Sequence, residues 1–277
     1  MSETTTPQAW VGRQHRSCDL LDLNRARAME AALGRRPRLH PGDPLPPCWH
    51  WLYFWEMAAM GDLGPDGHQA HGEFLPPTGL ARRMWAGGRI RFDRPLDLGV
   101  EAVRTSTIQA VQEKQGRSGR LVFVTLHHVI EDREGPAISE EQDLVFREAG
   151  AAAHEPPPAP REAAWRREIQ PGPVQLFRYS ALTYNGHRIH YDRRYATEVE
   201  GYPDLVVHGP LLATLLLDGL MDEGGQGAPA HFSYRAVSPL FAEQTAQLCG
   251  RSRSDGASDL WVTGPDGQLC MQGQTSF

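Results

Sequence analysis

His208-Gly-Pro-Leu-Leu-Ala-Thr-Leu-Leu-Leu-Asp-Gly-Leu-Met221 places aliphatic side chains at nearly every turn position, so a helix here is buried on all sides instead of presenting one apolar stripe. Pro210 suits the first helical position, where a missing N–H costs nothing. The aliphatic run Leu211–Leu220 is far too short to cross a bilayer and carries Asp218. Working outward, Gly224–Gly227 breaks the chain, and three strand-like runs follow: Ala230–Val237, Thr245–Leu248, and Asp259–Thr263 with Leu269–Gln272. Upstream, an irregular polar segment, Thr183–Thr197, precedes Pro203–Val207. A buried helix followed by antiparallel strands predicts an α+β unit with its sheet wrapped around the helix.

Composition changes sharply at Ala151–Pro173, where three alanines lead into His-Glu-Pro-Pro-Pro-Ala-Pro, a charged stretch and Gln-Pro-Gly-Pro. Prolines remove backbone donors and restrict the preceding residue, so this segment reads as a linker without a regular core element. It divides the chain into residues 1–150 and 174–277. The first half opens with a predicted helix, Leu23–Leu33, with Asp19 or Asp22 as N-cap and Gly34 as the stop. Pro41–Pro47 leads into Cys48–Met57, whose aromatic density requires burial. Loops run through Gly61–Gly79, and strand-like runs follow at Gly88–Phe92, Val100–Val111, Leu121–Ile130 and Gln142–Arg147. Gly116–Gly119 reads as a hairpin turn. No short-period repeat is visible, which leaves room for the halves to be divergent copies of one fold.

With 277 residues, 40% hydrophobic and 22% charged, the chain can build two cores of ordinary size. A net charge of −6 argues against an extended nucleic-acid or membrane footprint, though a locally basic pocket for a phosphorylated ligand is allowed. Cys18, Cys48, Cys249 and Cys270 lie far apart with no Cys-x-x-Cys, as in reduced cytosolic proteins. Met1–Arg13 lacks an apolar core of signal length. A cytoplasmic location is the expectation.

Chemistry-bearing side chains concentrate in Tyr179–Asp192: Thr183, Asn185, His187, Arg188, His190 and Asp192. Histidine transfers protons near neutral pH, and two imidazoles beside an amide could bind and polarise a water. The same residues also suit an ordinary polar loop. His187-x-x-His190 and His68-x-x-His71 are two-histidine pairs, but neither has a nearby Cys or the helical His-Glu-x-x-His arrangement, so a metal is not expected. Trp49–Trp55 reads as core. His50 and the pair His127-His128 read as structural histidines, and Gly87-Gly88 lacks the context of a phosphate loop.

Phe177–Asp192, Tyr195-Ala196 and His208–Leu212 together resemble the hydratase-2 signature of MaoC-like dehydratases. Within that group the resemblance is to the branch containing mesaconyl-C4-CoA hydratase, itaconyl-CoA hydratase and mitochondrial 3-hydroxyacyl-thioester dehydratase. Pro41–Phe54, Phe74–Pro77, Arg83–Arg89 and Lys114–Gly119 resemble that branch's FAS1-like dehydratase domain. The resemblance implies a double hotdog, with two antiparallel sheets each wrapped around a central helix. The N-terminal hotdog would be degenerate and residues 174–277 would form the catalytic one. It further implies hydration of a short branched enoyl-CoA, with no cofactor beyond the CoA of the substrate, no nucleic-acid or membrane partner, and a possible homodimer.

In the wider family an Asp and a His within Asp-x-Asn-Pro-x-His share the water. On that alignment the Asp falls on Asn185, the Asn on His187, the Pro on Arg188 and the His on His190. Asn185 cannot act as a base and is expected at most to hold the water or the carbonyl, so His190 is expected to carry the proton, with His187 assisting or contacting the substrate. Gly209, at the start of the buried helix, is expected to offer its N–H to the thioester oxygen. Arg178, Arg188 and Tyr184 are the expected substrate contacts, the arginines for an acyl carboxylate. Arg193, Arg194 and the group Arg82, Arg83, Arg89 and Arg91 are further candidates for CoA phosphates. A hotdog thioesterase and a non-catalytic acyl-CoA-binding protein remain open alternatives at this level.

Overall fold

The computed structural model describes residues 6–69, 74–80, 82–116, 119–148, 155–224 and 227–277. Its strands are β1 (Gln14–Leu20), β2 (Arg82–Phe92), β3 (Glu101–Gly116), β4 (Gly119–Asp132), β5 (Gly135–Arg147), β6 (Trp165–Ile169), β7 (His231–Ala236), β8 (Ala246–Ser252), β9 (Ser258–Thr263) and β10 (Leu269–Ser276). Three α-helices accompany them: α1 (Leu23–Ala32), α2 (Pro173–Thr183) and α3 (Gly209–Gly224). Asp22 caps α1, its Oδ1 accepting from the Arg25 N–H at 2.9 Å, and this settles the choice between the two predicted caps.

The strands form one antiparallel sheet in the order β1-β3-β4-β5-β2-β7-β10-β9-β8-β6. The halves expected to carry separate sheets are therefore joined, because β2 and β7 pair from Gly87↔Arg235 to Arg91↔His231. Each half would otherwise expose an edge of unpaired backbone groups, and the joint satisfies both. Gly87 belongs to this joint: a Cβ there would lie 2.5 Å from the Tyr234 carbonyl oxygen. The C-terminal sheet packs on α3 through β6, β8, β9 and β10, as the all-round apolar helix predicts.

The N-terminal half departs from the expected plan of a sheet around its own central helix. Its helix α1 packs on α2, and the one-turn helix Trp49–Leu52 beside them reaches the sheet through its side chains. There the buried His50 Nε2 lies 2.9 Å from Glu140 Oε2, and Trp51 Nε1 donates to the same carboxylate at 3.0 Å. His50 is thus a structural histidine, as are His127, paired to Ser139 at 2.9 Å, and His128, paired to Ser106 at 2.7 Å.

The segment read as a linker needs a second correction. β6 lies inside it and pairs with β8 from Trp165↔Gly250 to Ile169↔Ala246. Trp165 packs over two positions without side chains: a Cβ on Gly219 of α3 would fall 2.9 Å from its ring, and one on Gly250 would fall 2.5 Å away. The indole thus fills the gap between α3 and the sheet, and this burial outweighs the proline-rich flanks. Arg117 and Ser118 of the expected hairpin turn lie outside the described residues, as does His71.

The two halves also meet through a loop. Gly67 (φ +86°) lies against Gly186, so closely that a Cβ on Gly67 would sit 2.0 Å from the Gly186 carbonyl oxygen and one on Gly186 would sit 2.7 Å from that of Gly67. Beside this contact the Arg188 N–H donates to the Asp66 carbonyl at 2.9 Å, and Arg188 Nη1 donates to the Pro65 carbonyl at the same distance.

Two outcomes follow. Gly67→Ala combines a left-handed backbone with a collision against main chain, and should cost about 1–3 kcal/mol by denaturant unfolding. Gly99→Ala, also at positive φ but with nothing within 4 Å, should cost less. Asp218 in α3 is buried, and burial above all raises its carboxyl to about 6, the charge of Arg35 only partly offsetting this. A folded pKa above the unfolded one contributes stability that is complete below about pH 4 and lost as pH rises through about 6. The loss is about 3 kcal/mol, and Asp218→Asn should flatten urea midpoints measured between pH 4 and 7.

Candidate active site

α2 delivers the motif. Pro173 opens the helix, and Tyr184, in the left-handed region at φ 53°, closes it, with the Asn185 N–H donating to the Ser180 carbonyl at 2.8 Å. The Asn185 side chain turns back on its own loop, Oδ1 accepting from the His187 N–H at 3.0 Å, the local bond that makes Asn a turn former. A one-turn helix, Arg188–His190, follows with His187 as its N-cap residue, and both imidazoles are buried.

Four histidines form a continuous series of ring contacts: His68 to His187 at 4.2 Å between centroids, His187 to His190 edge-on at 5.4 Å, and His190 stacked on His208 at 3.7 Å. The ends are fixed. His208 Nε2 lies 2.8 Å from Ser180 Oγ, and His68 Nδ1 lies 2.9 Å from Asp66 Oδ2. His190 has its own anchor, Nδ1 at 2.7 Å from the Val206 carbonyl oxygen. A carbonyl only accepts, so Nδ1 carries the proton and Nε2 keeps its lone pair.

Electrostatics hold these rings neutral. Burial pulls His190 down to about 4, the bond to Val206 only partly opposing it. Burial and the charge of Arg83 lower His68 to about 4 against the pull of Asp66. His187 is driven down by burial, then by His68 and His190; His208 by burial, then by His190 and His187. Burial pushes the Asp66 carboxyl up, but its side-chain and backbone hydrogen bonds from His68 oppose this and the carboxyl lies below its ordinary range. Near neutral pH the cluster is a set of proton acceptors backed by one carboxylate.

The expected residues are not all brought together. His190, His187 and the Asn185 loop meet, and Gly209 begins α3 directly after His208. A Cβ at Gly209 would make only ordinary contacts, 3.8 Å from the Trp85 carbonyl oxygen and 3.9 Å from Met271. Tyr184 instead stacks on Trp55 at 5.0 Å and is half exposed. Arg178 lies exposed on α2. Arg188 already holds a carboxylate, Asp192, at 2.7 Å and lies over the Tyr195 ring.

The outlying arginines are similarly engaged: Arg82 with Glu200, Arg89 with Glu141 and Asp143, Arg91 with Asp93, Arg193 with Asp204 and Arg194 with Glu198. Arg83 is the one of that group whose charge presses on His68 and His187. A groove of about 580 Å³ lined by Arg89, His127, Glu141, His231 and Arg253 includes none of the clustered histidines.

Asp66, Ser180 and His208 join the cluster without being among the residues expected from the sequence, and His68 joins it apart from the two-histidine pair in which it stands there. The pairs are in fact recombined: one nitrogen each of His68 and His187 and an Asp66 oxygen lie within 4.8 Å of one another, a set able to hold a divalent ion. The available signal was Asp66-Gly67-His68, whose glycine permits the close approach.

The family model for hydroxyacyl-thioester dehydratase type 2 matches residues 48–242. The chain is 45% identical over 267 residues to a mesaconyl-C(4)-CoA hydratase of Chloroflexus aurantiacus, covering 95% of each. Among solved structures it is similar to a MaoC-like dehydratase from Phytophthora capsici, with TM-score 0.71, 17% identity and coverage of 99% and 97%. It is also similar to a Mycobacterium tuberculosis protein described as having a double hotdog fold, with TM-score 0.60, 14% identity and coverage of 96% and 95%. The joined sheet around α3 is that double hotdog fold, and the chain belongs to the hydroxyacyl-thioester dehydratase type 2 family of MaoC-like hotdog hydro-lyases.

Proposed function

We propose that the chain catalyses the reversible addition of water to a short branched enoyl-CoA, with mesaconyl-C4-CoA the favoured substrate and itaconyl-CoA the nearest alternative. The name and 45% identity of the Chloroflexus relative support the substrate class. The observation that carries the chemistry is His190, a buried neutral imidazole with Nδ1 on the Val206 carbonyl and Nε2 available as a base.

In the hydration direction His190 Nε2 takes a proton from water while the water oxygen bonds to the β-carbon. The electron pair of the double bond moves toward the carbonyl, leaving negative charge on the thioester oxygen. The Gly209 N–H at the N-terminus of α3 faces that charge, where the helix dipole also favours it. The imidazolium then returns the proton to the α-carbon, so the enzyme ends as it began. Asn185 holds the motif's turn and contributes an amide, not a base. Hydration consumes no electrons, and CoA enters as part of the substrate.

His190→Ala should lower kcat by about 10²- to 10⁴-fold, the range a positioned proton-transfer group supplies. The assay is mass-spectrometric detection of one added water on mesaconyl-C4-CoA; a rate within about threefold of wild type would remove His190 from the role. Since His190 is lowered to about 4, kcat/KM of the wild type should stay level from pH 8 to about 5 and fall only on approaching pH 4.

A further inference from the structure

Asp66 and His68 come from the N-terminal half, yet they complete the histidine series of the C-terminal motif. The Asp66 carboxylate is tied twice to His68: Oδ1 accepts from its backbone N–H at 3.0 Å and Oδ2 lies 2.9 Å from Nδ1. Asp66 can only accept, so His68 Nδ1 carries the proton and its Nε2 is left as an acceptor. The His68 ring packs on His187, which contacts His190. The interlocked Gly67 and Gly186 permit this approach, since any side chain at either position would push the loops apart.

We propose that the Asp66–His68 pair is the carboxylate partner of the His190 base, standing in across the domain boundary for the carboxylate that position 185 lacks. The inference rests on the hydratase reading of His190. When His190 takes the proton from water, the nascent imidazolium lies between the imidazoles of His187 and His208, neither of which balances its charge. Asp66 is the carboxylate hydrogen-bonded into the series, and its charge, relayed by the oriented His68, offsets the proton on His190 until that proton reaches the α-carbon. Asp66 and His68 are positioning residues in this scheme, because neither needs to touch the acyl group. The pair also explains how a motif with Asn in place of the family's Asp keeps a working base.

Asp66→Asn is the decisive variant. Its amide oxygen can still accept from the His68 N–H, so the loop keeps its shape, but its NH₂ faces His68 Nδ1 and favours the other tautomer. Exchange of Asp for Asn in a carboxylate–histidine pair acts in this way in serine proteases. With mesaconyl-C4-CoA, kcat should fall by about 10²- to 10⁴-fold with KM within about threefold of wild type. His68→Gln should fall similarly, and the double variant no further, because the two act as one unit.

The second arm is rescue. Asn185→Asp introduced into Asp66→Asn should recover at least about tenfold in kcat, since it returns a carboxylate to the family's position; a lost structural contact would not be restored this way. The inference is overturned if Asp66→Asn keeps kcat within about threefold of wild type, if the loss lies in KM alone, or if Asn185→Asp gives no recovery. It is also overturned if EDTA abolishes and zinc restores wild-type activity, which would make Asp66, His68 and His187 metal ligands. A wild type that adds no water to any enoyl-CoA defeats the hydratase reading itself, whereas an active wild type with an indifferent Asp66→Asn defeats only this inference.

Discussion

The site depends on two glycines pressed together. Gly67 and Gly186 belong to different halves, and their main chains approach to a distance no side chain permits. This contact fixes the loop carrying Asp66 and His68 on the loop carrying Asn185 and His187, and the Arg188 bonds to Asp66 and Pro65 hold the register. The catalytic role of the N-terminal half in this scheme follows from that contact, not from a helix of its own: its aromatic turn at Trp49–Leu52 builds core, and its sheet serves as an extension of the other.

Much of this could be read in advance. Helix α3 was legible because its apolar residues occupy every side, and α1 because an Asp cap and a Gly stop bracket it. The motif around His190 was legible through family resemblance. β6 was not, because proline density marks a chain as irregular by local rules, whereas Trp165 is held by the vacant sites at Gly219 and Gly250, far away in sequence. The β2–β7 joint was hidden for the same reason: Gly87 looked like a failed phosphate loop, and only the partner strand explains it. The place of His68 is only hinted at locally, by the glycine of Asp66-Gly67-His68, because the Gly186 loop it meets lies far away in sequence.

Four imidazoles in one series of ring contacts have an electrostatic consequence. His68 and His190 lower the proton affinity of His187, and His190 and His187 lower that of His208, so charge on these rings calls for a counter-ion. A site of this kind rests in its unprotonated form and gives up an accepted proton readily. Where the wider family places an anion inside the motif, this chain has an amide occupied with shaping a turn. The negative charge nearest the series enters from outside the motif, through Asp66.

The joint between β2 and β7 has a consequence for assembly. Two hotdog units that meet as separate chains associate by mass action, and their shared surfaces come apart on dilution. Here a covalent connection holds the units together, and the effective concentration of one for the other is set by the chain and not by the cell. Asp66 therefore meets His187 within a single polypeptide, and dilution does not part them.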